Sequence, residues 1–137
     1  MIVDTGPLVA LINKSDRHHK WTREVMSSVA PPLHTCEAVL SEACFLLRRT
    51  FAGQDAVLEL VARKVVLVDF AFHEELTAIR KMMDRYKSIP MSLADACLVR
   101  MSELHPKSTV ITLDHDFTIY RQHKRKPIPL RVPNEAG

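Results

Sequence analysis

Short apolar segments alternate with longer helical patterns along this chain, and this alternation limits its fold more than any other feature. Short aliphatic or β-branched runs predict strands at residues 1–4, 33–35, 65–68, 109–113 and 128–132. Apolar residues three or four positions apart predict helices at residues 16–30, 36–51, 54–63, 73–86, 93–104 and 115–122, with another near Pro7. Strands that alternate with helices favour a parallel sheet covered on both faces, so we expect an α/β fold.

The length and composition are those of one ordinary folded domain. A chain of 137 residues is short for two domains, and 47% of its residues are hydrophobic. Its three cysteines, Cys36, Cys44 and Cys97, form no CxxC pair, and no apolar run has the length of a membrane span. No cleavable apolar leader is evident either. We therefore expect one soluble domain over residues 1–137, located in the cytoplasm.

Two acidic residues follow predicted strands. Asp4 ends the first strand, and Asp114 follows the strand at residues 109–113. In an open parallel sheet, ligands bind beyond the carboxyl ends of the strands, so both acids are expected at the functional edge. Each acid is also suited to cap the helix that follows it, because aspartate accepts hydrogen bonds from free N–H groups.

Glu42 is the acid that helix capping does not explain. It lies in the predicted helix 36–51 among Ala38, Val39, Phe45 and Leu46, so we expect it to face inward. An unpaired carboxylate in a core is costly, and it needs a cation, a metal or several hydrogen-bond donors. Arg49 lies seven residues further on, which is too far along a helix for easy pairing.

Asp95 combines a capping pattern with a position near the core. Ser92 precedes it by three residues, which is the spacing of a capping box. Leu98 and Val99 follow it by three and four residues and place it at the edge of the apolar helix face. The capping role and a role in a site are therefore compatible.

The four acids together favour one shared site. Two like charges about 4 Å apart repel by about 4 kcal/mol at an effective dielectric constant of about 20, so clustered carboxylates need a cation between them. Ligation by oxygen alone indicates Mg²⁺ or Mn²⁺. Such a site can activate water and hold the oxygens of a phosphodiester, which predicts hydrolysis of nucleic acid.

Four motifs, in this order and spacing, resemble those of the PIN-domain nucleases and, within that family, the VapC-like toxins of toxin–antitoxin pairs. They are Ile2-Val3-Asp4-Thr5-Gly6-Pro7, Leu40-Ser41-Glu42-Ala43, Met91-Ser92-Leu93-Ala94-Asp95-Ala96 and Val110-Ile111-Thr112-Leu113-Asp114-His115-Asp116-Phe117. The resemblance covers nearly the whole chain. It implies a three-layer α/β/α sandwich with a central five-stranded parallel sheet.

The resemblance also implies roles for individual residues and for partners. The catalytic and metal-binding acids would be Asp4, Glu42, Asp95 and Asp114, with Asp116 as an auxiliary. Asp4 and Asp95 would be the firmest metal ligands. Supporting hydroxyl groups would come from Thr5, Ser92 and Thr112. The implied activity is Mg²⁺- or Mn²⁺-dependent cleavage of RNA by a homodimer that an antitoxin protein inhibits.

Basic residues gather in two places, although the net charge is only +3. One is the pair Arg48 and Arg49, and the other is the run 121–126 within the basic C-terminal segment 121–137. Candidates for contact with RNA phosphates are Arg48, Arg49, Lys124 and Arg125. The alternative is that the run is simply a solvated surface.

Three other functions are alternatives to cleavage of RNA. An aspartyl-phosphate mechanism would use Asp4, but Gly6 stands where such enzymes place a second acid. Zinc binding is disfavoured because His18-His19 and His34-x-Cys36 lack the paired spacing of structural sites. A non-catalytic PIN-like module that binds RNA or protein has the same fold, and the sequence leaves that alternative open.

Overall fold

Five parallel strands form the central sheet of the computed structural model, which describes residues 1–134. The strands, in chain order, are β1 (Ile2–Val3), β2 (Leu33–Thr35), β3 (Val66–Val68), β4 (Val110–Ile111), β5 (Arg121–Gln122), β6 (Lys126–Pro127) and β7 (Leu130–Arg131). The main sheet has the order β3-β2-β1-β4-β7, and every pairing in it is parallel. Strands β5 and β6 pair antiparallel in a separate hairpin.

Six α-helices and two 3₁₀ helices connect these strands in the described part of the chain. The α-helices are α1 (Thr5–Ile12), α2 (His19–Ser27), α3 (Glu37–Leu46), α4 (Gly53–Ala62), α5 (Leu76–Arg85) and α6 (Leu93–Leu104). The 3₁₀ helices span Phe72–Glu75 and His115–Thr118. Helices flank the parallel sheet, which confirms the predicted three-layer α/β/α sandwich with five parallel strands.

The order of the strands places a crevice between β1 and β4. From β1 the chain moves to β2 and β3 on one side, and it returns to β4 and β7 on the other. Open α/β sheets bind their ligands at such a switch point, beyond the carboxyl ends of the strands. Asp4 follows β1 directly, and Thr112 follows β4 directly, so both lie at this crevice.

Burial explains why strands β1 and β4 consist only of aliphatic residues. Ile2, Val3, Val110 and Ile111 are each at most 1% exposed, as expected for strands covered on both faces. Helix α6 is the most deeply packed helix of the site region, with seven of its twelve residues buried. The acid that it carries is therefore held on a rigid element.

Two predicted helices are shorter in the structure than their apolar patterns suggest. The helix predicted over 36–51 ends at Leu46, and turns lead through Ala52, a left-handed residue with a φ of 53°, into α4. The predicted 115–122 helix is a 3₁₀ helix followed by β5, because Arg121 and Gln122 enter the hairpin. Residues 135–137 of the basic C-terminal segment 121–137 lie outside the described residues.

No helix within residues 1–134 is both long and apolar enough to cross a membrane.

The turn between α3 and α4 requires glycine at position 53. A Cβ atom there would lie 2.8 Å from the backbone oxygen of Leu47, which cannot move away easily. We expect Gly53→Ala to lower the free energy of unfolding by about 1–3 kcal/mol. Urea unfolding measures this change. Gly6→Ala is the matched control, because its Cβ would meet only the half-buried side chain of Leu113, at 3.1 Å. Equal losses in the two variants would contradict the explanation.

Candidate active site

The register between β1 and β4 places Asp4 beside Thr112. Val3 pairs with Ile111, and the Asp4 amide donates to the Ile111 carbonyl at 3.0 Å. The Thr112 hydroxyl then donates to Oδ2 of Asp4 at 2.7 Å. The same hydroxyl oxygen accepts from the Asp114 amide at 2.9 Å. One threonine therefore links the first acid to the loop that carries the last one.

Asp4 caps helix α1 and is nearly buried. Its Oδ1 atom accepts from the Thr5 amide at 2.7 Å, so both carboxylate oxygens receive a hydrogen bond. The residue is only 6% exposed. The expected capping role is present, and it fixes the carboxylate at the mouth of the crevice.

Asp95 is held by a complete capping box and by a tyrosine. The Asp95 amide donates to Oγ of Ser92 at 3.0 Å, and the Ser92 amide donates to Oδ2 of Asp95 at 3.4 Å. The Tyr120 hydroxyl also donates to this Oδ2 atom, at 3.1 Å. Ser92 and Tyr120 together leave Asp95 little freedom to rotate.

Three of the acids influence one another through their charges. Burial raises the pKa of Asp4 from 3.8 to about 6, against the hydrogen bonds from Thr112 and Thr5, and the charges of Asp95 and Asp114 raise it further. Burial also raises the pKa of Asp95, and Asp114 again adds to the rise, while Tyr120 and Ser92 oppose it. Asp4, Asp95 and Asp114 therefore form one cluster, which we call the acid cluster.

Asp114 and Asp116 form the side of the acid cluster that follows β4. Asp114 caps the short 3₁₀ helix by accepting the Asp116 amide on Oδ1, at 2.9 Å. Both aspartates are half-buried. The charges of both contribute to the raised pKa of Tyr120, so Asp116 also lies near this tyrosine.

Glu42 lies at the edge of the site, but the prediction that its side chain faces the core is wrong. The core-facing stripe of this segment is Val39, Ala43 and Leu47, whereas Phe45 and Leu46 are 60% and 55% exposed. The side chain of Glu42 is consequently exposed. It still reaches the site, because Oε2 accepts from the Thr5 hydroxyl at 3.0 Å. Thr5 thus connects Glu42 to Asp4, because its hydroxyl donates to Glu42 and its amide donates to Asp4.

Tyr120 is the site residue that sequence reasoning missed. Its side chain is fully buried and makes edge-to-face contacts with Phe117 and Tyr86. Burial and the charge of Asp95 raise the pKa of its hydroxyl, which therefore stays protonated and donates. Its place four residues after Asp116 offered a weak signal, but only tertiary packing brings it to Asp95, 25 residues away.

The predicted basic contact residues form no ion pair with Asp4, Asp95 or Asp114. Arg48 follows the end of α3, where its guanidinium lies 3.9 Å from the centre of the Phe45 ring, and Arg49 is exposed beside it. Lys124 and Arg125 are exposed at the turn of the β5–β6 hairpin. That hairpin contacts the C-terminal end of α6, whereas Asp95 lies near its N-terminus.

The acid cluster suits a hydrated divalent cation. Within residues 1–134, no three acidic, histidine or cysteine side chains converge as a ready-made set of metal ligands. Mg²⁺ commonly keeps several waters and uses only one or two carboxylates, so a preformed cage is not required. Oδ1 of Asp95 and Oδ2 of Asp114 accept no hydrogen bond from the described residues and can serve as ligands. The pKa of Asp4 is raised chiefly by burial, and a cation would relieve the further rise that the charges of Asp95 and Asp114 add.

The raised pKa of Asp4 makes a prediction about stability and pH. Below pH 3.8, Asp4 is protonated in both the folded and the unfolded chain, and its burial carries no charge penalty. As the pH rises to about 6, the unfolded chain ionises first and the folded state loses stability. Above that pH the penalty is constant, at about 3 kcal/mol.

We therefore expect Asp4→Asn to increase the free energy of unfolding by up to about 3 kcal/mol at pH 8, measured in EDTA. The gain should disappear as the pH falls from about 6 to 3.8. Asp84→Asn is the control, because that carboxylate is 79% exposed and forms only a long surface pair with Lys87. A variant less stable than the parent at pH 8 would refute the burial penalty.

Tyr120→Phe tests how Asp95 is held. The substitution removes a hydrogen bond that lowers the pKa of Asp95, so this pKa should rise further. Carboxyl carbon NMR during a pH titration measures the effect. Tyr86→Phe is the matched control, since its hydroxyl accepts from the Arg121 amide and lacks the contact with Asp95. If the pKa of Asp95 is the same in Tyr120→Phe and in the parent, the hydrogen bond from Tyr120 does not lower that pKa.

Comparisons with known proteins identify the family and the fold. A family model of the PIN domain matches residues 1–122. No curated protein sequence matches the chain significantly. Among solved structures, the fold is similar to that of VapC20 from Mycobacterium tuberculosis, a toxin that cleaves the sarcin-ricin loop. The TM-score is 0.73 at 24% sequence identity, over 86% of this chain and 92% of that one. Because the family model spans most of the sequence, this chain belongs to the PIN domain family.

Proposed function

We propose that this protein is a divalent-metal-dependent endoribonuclease that hydrolyses RNA phosphodiester bonds as the toxin of a toxin–antitoxin pair. The observation that carries the proposal is the acid cluster, in which Asp4, Asp95 and Asp114 come from separate elements and meet at the switch point of the sheet. Repulsion between one buried and two half-buried carboxylates does not help the chain to fold. It does suit a site that holds a cation and a phosphodiester.

The acids divide into ligands and neighbours of the ion. Asp4, Asp95 and Asp114 would hold Mg²⁺ or Mn²⁺, with Glu42 and Asp116 at the margin of the site. When bound, the ion supplies a water of lowered pKa and stabilises charge on the phosphoryl oxygens. The carboxylates supply the negative potential that attracts the ion, and the burial of Asp4 strengthens its share of that potential.

The hydroxyl groups around the acids fix their orientation. Thr112 holds Asp4, Ser92 and Tyr120 hold Asp95, and Thr5 holds Glu42. Carboxylates that are locked before the substrate arrives need no reorganisation during the reaction, and loss of such support commonly costs activity. The supporting roles predicted for Thr5, Ser92 and Thr112 belong to this proposal.

Substrate and partners are proposed from family membership and from the similar structure. VapC20 cleaves an RNA loop, and its fold matches this chain over most of both proteins. We propose RNA as the substrate, an antitoxin protein that blocks the acid cluster, a homodimer as the working form, and the cytoplasm as the location.

Cleavage assays test the catalytic proposal directly. Purified protein should cleave RNA with Mg²⁺ or Mn²⁺ and should stop when EDTA is added. Asp4→Asn and Asp95→Asn should each reduce the cleavage rate by at least about 100-fold, because each removes a charge that would hold the ion. Asp55→Asn is the control, since Asp55 is exposed on α4 outside the acid cluster, and its rate should match the parent.

Two results would overturn the proposal. Cleavage that persists in EDTA, or in both acid variants, would exclude a metal centre at these carboxylates. RNA binding without cleavage under any divalent metal would favour the alternative of a non-catalytic PIN-like binding module.

A further inference from the structure

The hairpin of β5 and β6 presents a concentrated positive charge that the acid cluster does not use. Its turn and the start of β6 carry Lys124, Arg125 and Lys126, which we call the basic turn, and all three are exposed. Lys124, Arg125 and Lys126 form no ion pair with any residue in 1–134. The charge of the basic turn is therefore available to a partner.

The turn of the β5–β6 hairpin has backbone φ angles that are unfavourable for the residues it contains. His123 and Lys124 have φ angles of 48° and 70°, and the Arg125 amide donates to the Gln122 carbonyl at 3.0 Å. Two consecutive residues with positive φ are typical of a type I′ turn, which favours Asn and Gly at these positions. Strained backbone of this kind is more common at functional positions than elsewhere.

Contacts with α6 hold the basic turn in place. The His123 amide donates to the Glu103 carboxylate, and Nε2 of Gln122 donates to the Ser102 carbonyl at 3.0 Å. Glu103 also accepts from Arg100 at 3.1 Å, and its side chain is only 6% exposed. The acid nearest the basic turn is thus occupied by protein donors, and the lysine and arginine charges face outward.

Helix α5 extends this positive surface. A groove of about 250 Å³ separates α5 from the basic turn and is lined by Lys81 and Arg85 as well as by His123 and Lys124. A second groove, of about 420 Å³, adjoins Arg125 and Lys126. Asp84 is the exposed acid next to Arg85 in the sequence, and it lies 3.8 Å from Lys87. Cations from two elements therefore border the same groove.

Helix α6 sets the distance between the acid cluster and the positive surface. Asp95 and Glu103 are eight residues apart on α6, which corresponds to about 12 Å along the helix. A single RNA strand that passes through the acid cluster can place phosphates further along on the basic turn. Evenly spaced phosphates bind exposed lysine and arginine whatever the base sequence.

We propose that the basic turn, together with Lys81 and Arg85, is a second binding surface for the phosphate backbone of single-stranded RNA. It anchors the strand outside the acid cluster. The choice of RNA rests on the proposed function. Binding through counterion release makes the affinity strongly salt-dependent, and each lysine that contacts a phosphate should contribute to that dependence.

A matched pair of glycine variants separates charge from backbone conformation. Lys124→Gly removes a positive charge and suits the left-handed backbone, whereas His123→Gly relieves the same kind of strain and leaves the lysine and arginine charges in place. Both are made in the Asp4→Asn/Asp95→Asn background, so that RNA is not cleaved. Fluorescence anisotropy with a labelled single-stranded RNA of about 16 nucleotides then gives affinity at several salt concentrations.

We expect both glycine variants to raise the melting temperature, because each removes left-handed strain. Only Lys124→Gly should weaken RNA binding, and it should reduce the slope of log affinity against log salt by about 0.7. The triple variant Lys124→Gly/Arg125→Gln/Lys126→Gln should reduce the slope further. His123→Gly should keep the affinity and slope of the cleavage-deficient parent.

Two outcomes would overturn the proposal: equal affinity and slope in Lys124→Gly and its parent, or an equal loss of affinity in His123→Gly. The test is independent of cleavage. Variants of the basic turn that bind RNA normally while the native protein cleaves it would refute the second surface and leave the nuclease intact. RNA held by the basic turn in a protein that never cleaves would refute the nuclease alone.

Discussion

The pairing of β1 with β4 is the constraint on which the candidate site depends. Because Val3 pairs with Ile111, the next residues, Asp4 and Thr112, leave the sheet side by side at its switch point. A slip of one residue would turn each side chain to the opposite face of the sheet. The Thr112 hydroxyl would then lose its contact with Asp4, and the acid cluster would not assemble.

All three acids of the cluster also begin a helix. Asp4 caps α1, Asp95 belongs to the capping box of α6, and Asp114 caps the 3₁₀ helix His115–Thr118. The positive ends of helices favour negative charge, so these N-termini partly offset the repulsion among the carboxylates. Capping and metal binding were competing explanations for each acid at the level of sequence. In the folded chain they are compatible, because the cap sets the position of a carboxylate that also faces its neighbours.

The cluster stores unfavourable energy that the rest of the fold must offset. Burial raises the pKa of Asp4 to about 6 in spite of two short hydrogen bonds, and Asp95 is raised as well. The aliphatic centre of the sheet and the buried face of α6 supply the compensating hydrophobic stabilisation. A site of this kind lowers the free energy of unfolding, and a bound cation would raise it again in part.

Local patterns in the amino-acid sequence were enough to predict the alternation of strands and helices and the acids at strand ends, because these features depend on short-range periodicity. The capping box of Ser92 and Asp95 was also predictable, because it depends on hydrogen bonds within one helical turn. Tertiary structure alone decided the exposure of Glu42, the contact of Tyr120 with Asp95 and the position of the basic turn at the far end of α6. An apolar helix pattern around Glu42 did not reveal which of its faces meets the core. Contacts between residues distant in the chain follow from packing and strand order, and no local pattern encodes them.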